Sequence, residues 1–374
     1  MRVRIVEDRA GLRRFVDVPF RLHGRDPRWV PPLRFDVRRR LTRRTNPFFD
    51  YGDAAYFFAE RDGVEVGRIA AIANTRHDDT HRDGAGFFGF FESTDDRVVA
   101  RALFDAAAEW VRGRGYRTLR GPASFSTNDE CGLLVEGFDT PATVLTPWNP
   151  PYYVGLVEGA GFRESKDLLG FAGGHPEHPV PGPERLARAA SRLESRLDVT
   201  LRPLDRRRFW TEVATLRALY NAAWERNWGF VPMTDRELEH MARELRQVYI
   251  PDLVPFVEHA GEVVGFGVAL PDVNQVLRAN RSGRLVPGAL SVLWALKRRR
   301  IRRARILLLG VRPDWRGRGL DALLWNWIWT HAANHGIGWG EASWILPDNA
   351  GMRNAAERMG FRAYKKWRLY ERPA

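Results

Sequence analysis

Phe58-Ala59-Glu60-Arg61-Asp62-Gly63-Val64-Glu65-Val66-Gly67 returns later in the chain as Phe256-Val257-Glu258-His259-Ala260-Gly261-Glu262-Val263-Val264-Gly265, with five identities at a constant spacing of 198 residues and no gap. Each copy reads as two strands joined by a tight turn at Gly63 or Gly261, a β-hairpin. A second block behaves the same way. Glu158-Gly159-Ala160-Gly161-Phe162-Arg163-Glu164-Ser165-Lys166 matches Glu357-Arg358-Met359-Gly360-Phe361-Arg362-Ala363-Tyr364-Lys365 at a spacing of 199. There a helix ends at a glycine, as left-handed C-caps do, and a strand follows. Two matched blocks, in the same order and at nearly one offset, read as a tandem duplication.

The Pro/Gly-rich stretch from Gly173 to Pro183 continues neither a helix nor a central strand, so it divides the copies. The expected layout is one unit over 1–172, a linker with a helix over 173–198, and a second unit over 199–374. Each unit reads as strand, helices, hairpin, strand, helix, strand, helix and terminal hairpin. The fold class is therefore α+β, with two tandem units, each a mixed, mostly antiparallel sheet flanked by helices. In the second unit, helices are expected over Arg206–Trp224 and Arg236–Arg246, the latter opened by a Thr234/Glu237 capping box.

Composition sets outer limits. The 374 residues are 44% hydrophobic and 28% charged, which suits a folded chain with its own core and not a disordered one. No apolar run approaches the roughly 20 residues of a membrane-spanning helix. The charged start, Met1 to Asp8, predicts a strand and no signal peptide, and a lone Cys131 fits a reducing cytoplasm. The net charge of +13, with lysine only at 166, 297, 365 and 366, makes the chain strongly arginine-rich. Anionic partners follow: a phosphorylated cofactor, an acidic carrier protein, an acidic membrane face or nucleic acid.

The chemistry concentrates in Gly310-Val311-Arg312-Pro313-Asp314-Trp315-Arg316-Gly317-Arg318-Gly319-Leu320-Asp321, between a hydrophobic strand (Ala304–Val311) and a tryptophan-rich helix (Leu320–Asn334). Such a glycine turn aims backbone N–H groups and the positive helix end at an anion. The corresponding turn of the first unit, Glu92-Ser93-Thr94-Asp95-Asp96 before the helix Arg97–Arg112, carries acids that repel one.

Strand, Val-Arg-Pro, Arg316-x-x-Gly319 and an apolar helix together resemble the pyrophosphate loop of the GNAT superfamily of N-acyltransferases, and Asn349-x-x-Met352-x-x-Ala355-Ala356-x-x-x-Gly360-Phe361 extends the likeness. The resemblance implies an acyl-CoA co-substrate held by Leu309, Val311, Arg316, Gly317, Arg318, Gly319, Leu320 and Asn349. It also implies oxyanion stabilisation by N–H groups near Leu309–Val311. Two positions depart from the pattern. Asp321 stands where the family has Gly or Ala, and Ala356 where many members have the tyrosine that protonates the leaving thiolate.

An amine acceptor of pKa near 10 must lose a proton before it attacks, so a general base is needed. The strand Ile337–Ile345 alternates and places Ile337, Trp339, Glu341, Ser343 and Ile345 on one face. Glu341, among apolar neighbours, is the candidate base, with Ser343 beside it. The alternative is a Glu341 paired with one of the arginines. Acceptor-binding candidates are Asn227 and Trp228 in the polar-aromatic run 221–232, and Asn128, Glu130 and Tyr153 in a long irregular insertion of the first unit. Neither His77/His81 nor His331/His335 brings a third ligand, so no metal is expected, and only the second pair is expected on a helix.

Leu285–Leu296 is an apolar helical segment followed by a run from Lys297 to Arg305 in which seven of nine residues are basic. It reads as a membrane-surface anchor, a wall for a lipid chain, or a hairpin extension with a solvated end. The expected function is transfer of an acyl group from a CoA or carrier-protein thioester to an amine, at the cytoplasmic face of a membrane. In size and character the chain is also similar to bacterial ceramide synthases, which N-acylate a sphingoid base. Three alternatives stand beside it: a small-molecule or protein N-acetyltransferase, a Fem-type aminoacyl-tRNA-dependent transferase, and a non-catalytic GNAT-like sensor. No DNA-reading motif is present, which argues against nucleic acid.

Overall fold

In the computed structural model, residues 1–174, 183–224 and 227–374 are described, so most of the dividing stretch and Glu225 lie outside the described residues. The first half runs β1 (Arg2–Ile5), α1 (Arg9–His23), α2 (Arg34–Leu41), β2 (Gly52–Arg61), β3 (Val64–Asn74), α3 (Thr75–His81), β4 (Ala85–Ser93), α4 (Arg97–Arg112), β5 (Thr118–Gly121), β6 (Leu133–Glu136), α5 (Tyr152–Gly159) and β7 (Arg163–Gly173). The second runs α6 (Pro183–Leu197), β8 (Thr200–Pro203), α7 (Phe209–Trp224), α8 (Asp235–Leu245), β9 (Pro255–His259), β10 (Glu262–Pro271), α9 (Asn274–Leu277), α10 (Leu285–Lys297), β11 (Arg303–Val311), α11 (Leu320–Asn334), β12 (Trp339–Ile345), α12 (Ala350–Arg358) and β13 (Arg362–Pro373).

The repeat is visible in the backbone. Gly63 and Gly261 turn the β2–β3 and β9–β10 hairpins at φ +78° and +80°. Gly161 and Gly360, at φ +88° and +80°, end α5 and α12 before β7 and β13. Side chains fix the helix starts: Asp96 caps α4 through the Val98 and Val99 N–H groups, and Thr234 and Glu237 form a reciprocal capping box on α8. The histidine-bearing segment 75–81 is helical as well, contrary to expectation, because Asn74 caps it by accepting from the His77 N–H.

The two expected sheets are one. Thirteen strands form a continuous sheet in the order β1-β2-β3-β4-β5-β13-β7-β12-β11-β10-β9-β8, with β6 pairing β13. All pairings are antiparallel except β4 with β5 and β11 with β12. The last strands have changed sides. β13 pairs with β5 and β6 of the first half, and β7 pairs with β12 of the second. The two exchanged strands lie antiparallel to each other in the middle, Arg362 opposite Ala172 and Glu371 opposite Arg163.

Each exchanged strand fills the other half's core. Trp367 and Leu369 of β13 pack among Phe15, Phe87, Phe125 and Leu134, and Tyr370 packs with Phe104 and Phe162. Phe171 of β7 packs with Ile306, Trp325 and Phe361. Polar contacts repeat the exchange: Arg368 Nε donates to Asp167 at 2.7 Å, Arg120 Nε to Glu371 at 2.8 Å, and Arg372 Nη2 to Asp105 at 2.7 Å. Trp367 is fully buried and its indole N–H donates to the Pro147 carbonyl at 3.0 Å. Trp367→Ala is expected to destabilise the protein by about 3–5 kcal/mol. In urea unfolding, probes in the two halves should lose signal together, since the strand belongs to both.

Candidate active site

β11 and β12 are hydrogen-bonded only at their beginnings, from Arg303 opposite Trp339 to Ile306 opposite Ala342. Beyond that point the strands part, because β12 turns to follow β7 through an irregularity between Ala342 and Ile345. Parting leaves the backbone groups of Leu307–Val311 that face β12 without a strand partner, which a polar ligand can satisfy. A cavity of about 770 Å³ occupies the opening. Leu309, Val311, Arg316, Gly317, Gly319, Leu320, Asn349, Asn227, Trp228 and Ser343 all line it. Residues from four separate stretches of sequence thus meet around one space.

One end of the cavity is the start of α11. Its N-cap is Gly319 at φ +93°, and no side chain caps the helix. Gly317, at φ +73°, has nothing within 4 Å of where a Cβ would sit. Positive φ at both positions explains the glycines, and the open helix end retains its positive partial charge. Arg316 is exposed and donates to the Ala223 carbonyl at 2.9 Å, bridging to the end of α7. Arg318 is off the cavity wall, its guanidinium 4.6 Å from the Trp315 ring. Uncapped N–H donors, open space at Gly317 and the adjacent Arg316 guanidinium fit a pyrophosphate, while Asp321 in the first turn of α11 lines the same cavity and opposes one. At the equivalent place in the first half, Asp96 already occupies the α4 N-terminus and pairs with Arg61 at 2.8 Å.

Glu341 is completely buried and does not reach the cavity wall. Its setting is not the apolar one expected. A desolvated carboxylate requires donors, and Tyr364 and Ser343 each donate a hydrogen bond to it, with Arg305 Nε 3.9 Å away. Ser343 connects this cluster to the cavity. Its Oγ accepts from Arg305 Nε at 2.9 Å and donates to Glu341. Burial, and then the Glu341 charge, push the nearby Asp272 carboxyl up to about 7. Burial lowers the Lys365 ammonium to about 8, opposed by the Glu341 charge. The arginine partner was invisible in sequence because Arg305 stands at the end of a basic run that read as surface. Tyr364 is in a strand that carried no site signal.

The back of this cluster is closed by the first half. Arg305 Nη1 donates to the carbonyls of Val144 and Leu145 at 2.9 and 2.7 Å. Lys365 Nζ donates to Pro141 at 2.7 Å, and Asp272 accepts from the Val144 N–H at 3.0 Å. The insertion expected to be irregular holds β6 and ends in α5, and its segment 140–145 is tied down by second-half side chains. Other candidates from it fall in different places. Asn128 donates to the Val231 carbonyl and accepts from Tyr220, each at 2.9 Å, on the lip that carries Asn227 and Trp228. Glu130 lies 3.5 Å from Arg40. Tyr153 is buried in the first-half core, bonded to Glu92 and to the Ser93 N–H, and away from the cavity wall.

Ala356, at the tyrosine position of the resemblance, is fully buried and offers no acid there. Cys131 is buried, which pushes its thiol up to about 12. His77 bonds Asp83, and His335 bonds Asp252.

An α+β sheet that splays between two parallel strands, above a glycine loop and an open helix start, belongs to a known class. A model of the acetyltransferase (GNAT) family matches residues 213–361, and the chain belongs to that family. It is a GNAT-type N-acyltransferase, a class that generally uses acyl-CoA as co-substrate. Over nearly its whole length it is similar to a bacterial ceramide synthase of Caulobacter vibrioides (38% identity, 98% of this chain and 96% of that one). It is also similar to protein YghO of Escherichia coli (35% identity, 99% and 95%). Among solved structures it shares its fold with a tandem GNAT protein from the clavulanic acid biosynthesis pathway, at TM-score 0.59 and 14% identity over 100% of this chain and 98% of that one. A GCN5-related N-acetyltransferase from Sphaerobacter thermophilus, at TM-score 0.51 and 14% identity, covers 100% of this chain and 95% of its own.

The unequal helix starts make a direct test. CoA at about 100 times its Kd should raise the unfolding free energy by about 2.7 kcal/mol. Gly319→Glu should abolish that shift, and Arg316→Ala should reduce it without straining the turn. Asp96→Ala should cost about 1 kcal/mol of stability through the lost cap yet leave the CoA shift intact.

Proposed function

We propose that the protein N-acylates the amine of a long-chain lipid, a sphingoid base being the favoured acceptor, with an acyl-CoA thioester as donor. The observation that carries the acceptor is the end-to-end similarity, at 38% identity, to a protein named as a bacterial ceramide synthase. The cavity supports it, since Leu308, Leu309, Trp344, Ile345 and Leu346 give its mixed wall an apolar part that suits an alkyl chain.

In this reading the donor pyrophosphate sits on the N–H groups opening α11, with Arg316 beside it. The thioester carbonyl lies in the splay, where unpaired N–H groups of β11 receive the developing oxyanion. Ser343 faces the cavity with its hydroxyl proton already directed to Glu341 and one lone pair taken by Arg305. Its remaining lone pair accepts a proton from the acceptor ammonium as its own passes to Glu341. The freed amine then attacks, a C–N bond forms, the C–S bond breaks, and CoA leaves as the thiol with the proton that the new amide nitrogen gives up. Glu341 is the proton store, Ser343 the relay, and Arg305 balances the charge that the carboxylate carries at rest.

Glu341→Gln should lower kcat about 100-fold, in the range of a lost general base. The KM for donor should hardly move. The deficit should shrink as pH rises toward the pKa of the amine, where free amine no longer needs a base. Ser343→Ala should behave alike, and an unchanged pH–rate profile in both variants would remove the relay. Acceptor choice is read by mass spectrometry with palmitoyl-CoA offered to sphinganine, spermidine and a lysyl peptide. N-acylsphinganine is expected, and acylation of only the water-soluble amines would overturn the lipid assignment.

A further inference from the structure

Helix α10 is turned inside out for a surface helix. Its inward face is Gly288, Val292 and Ala295, and its outward face carries Leu290 at 59%, Leu293 at 48% and Trp294 at 49% exposure. Positions 290, 293 and 294 form one apolar stripe, and exposed Lys297 follows it on the same face. Just before it, Leu285 and Val286 are 39% and 64% exposed around an extended Val286. Five of the twelve exposed large hydrophobic residues among those described therefore fall on this one 13-residue helix. Scattered exposed apolar residues are ordinary, but a contiguous patch of them marks a binding surface.

Charge selects the occupant. Directly after the stripe come exposed Lys297, Arg298, Arg299 and Arg300, then Arg302. Among the described residues none of these five forms an ion pair with a carboxylate. Arg299 and Arg302 reach only the carbonyls of Asn334 and Gly336, and Arg300 covers the Trp294 ring at 4.4 Å. Arg303 and Arg305, the last basic residues of the run, are instead in β11, with Arg305 buried at the active site. From Pro287 to Lys297, beyond the extended Val286, the helix is about 16 Å long at about 1.5 Å per residue. It is too short to cross a bilayer core of about 30 Å. No described helix is long and apolar enough to cross a membrane.

We propose that α10 lies flat in the headgroup region of an anionic bilayer, its Leu290–Leu293–Trp294 stripe inserted and its 297–302 basic end on lipid phosphates. An uncharged outward stripe beside uncompensated cations is the pattern of an in-plane interfacial helix. The inward residues Val292 and Ala295 belong to the same apolar cluster as Trp224, Leu307 and Leu308, which line the active-site cavity. The helix and part of the cavity wall thus share one apolar cluster. Docking there deepens the lipid-acceptor reading but is tested without any catalytic readout.

Full-length protein is sedimented with vesicles of phosphatidylcholine, with and without 30 mol% phosphatidylglycerol, at low and at high salt. Binding to the anionic vesicles is expected, strongest at low salt. Each basic residue contributes roughly five-fold, so R298Q/R299Q/R300Q should weaken low-salt partition by about 100-fold. Trp294→Ser should weaken the part that survives high salt by about ten-fold. These side chains are exposed, and circular dichroism of each variant checks that it folds. Vesicles ignored by the wild type, or bound equally by both variants, would overturn the proposal. So would a dimer that Trp294→Ser dissociates while vesicle binding is unaltered, since the stripe would then face a second copy of the chain.

Discussion

The antiparallel pairing of β7 with β13 is the constraint on which the rest of the structure depends. Because each strand comes from one half and completes the sheet of the other, the two copies form a single 13-stranded sheet. The pairing also shapes the site. β12 is held by β7 on one side and by β11 on the other, and it cannot follow both along its whole length. It stays with β7, leaves β11 after Ala342, and the opening so made becomes the cavity.

Duplication gave two helices at equivalent places, and one turn of sequence makes them chemically opposite. In α4 an aspartate satisfies the first N–H groups and cancels the helix's positive end. In α11 two glycines in the left-handed region leave that end open beneath the cavity. The first half also packs against the second half's polar cluster. Its segment 140–145 is gripped by Arg305, Lys365 and Asp272, so it forms the rear wall of the second half's polar cluster.

Local signals were legible because local physics sets them. The glycines at 63, 161, 261 and 360 announced the turns and helix ends, Asp96 and Thr234 announced helix starts, and the glycines at 317 and 319 announced the turn that opens α11. Partner choice across the sheet was not legible. β13 has the same alternation and the same turn before it whether it pairs within its own half or with the other, so no short-range feature distinguishes the two. Arg305 was misread for a related reason. A run of basic residues looks uniform in sequence, but the strand that starts at Arg303 turns Arg305 into the core while Arg298 to Arg300 remain outside. The helix at 75–81 was missed because its start depends on one asparagine cap in a histidine- and aspartate-rich stretch.

Burying Glu341 and Arg305 together is costly unless every lone pair and donor is used, since desolvation of two ions exceeds the gain of a single contact. Here the cost is offset by geometry. Arg305 spends its donors on Ser343 and on the carbonyls of Val144, Leu145 and Ser343, and the carboxylate takes Ser343 and Tyr364. A hydrophobic pair of similar volume would hold β11 to β12 as well and would need none of these partners. What such a pair would lack is a hydroxyl at the cavity wall whose proton already points at an anion. The network sits where the strands part, and in the proposed mechanism that position gives a proton taken from the cavity somewhere to go.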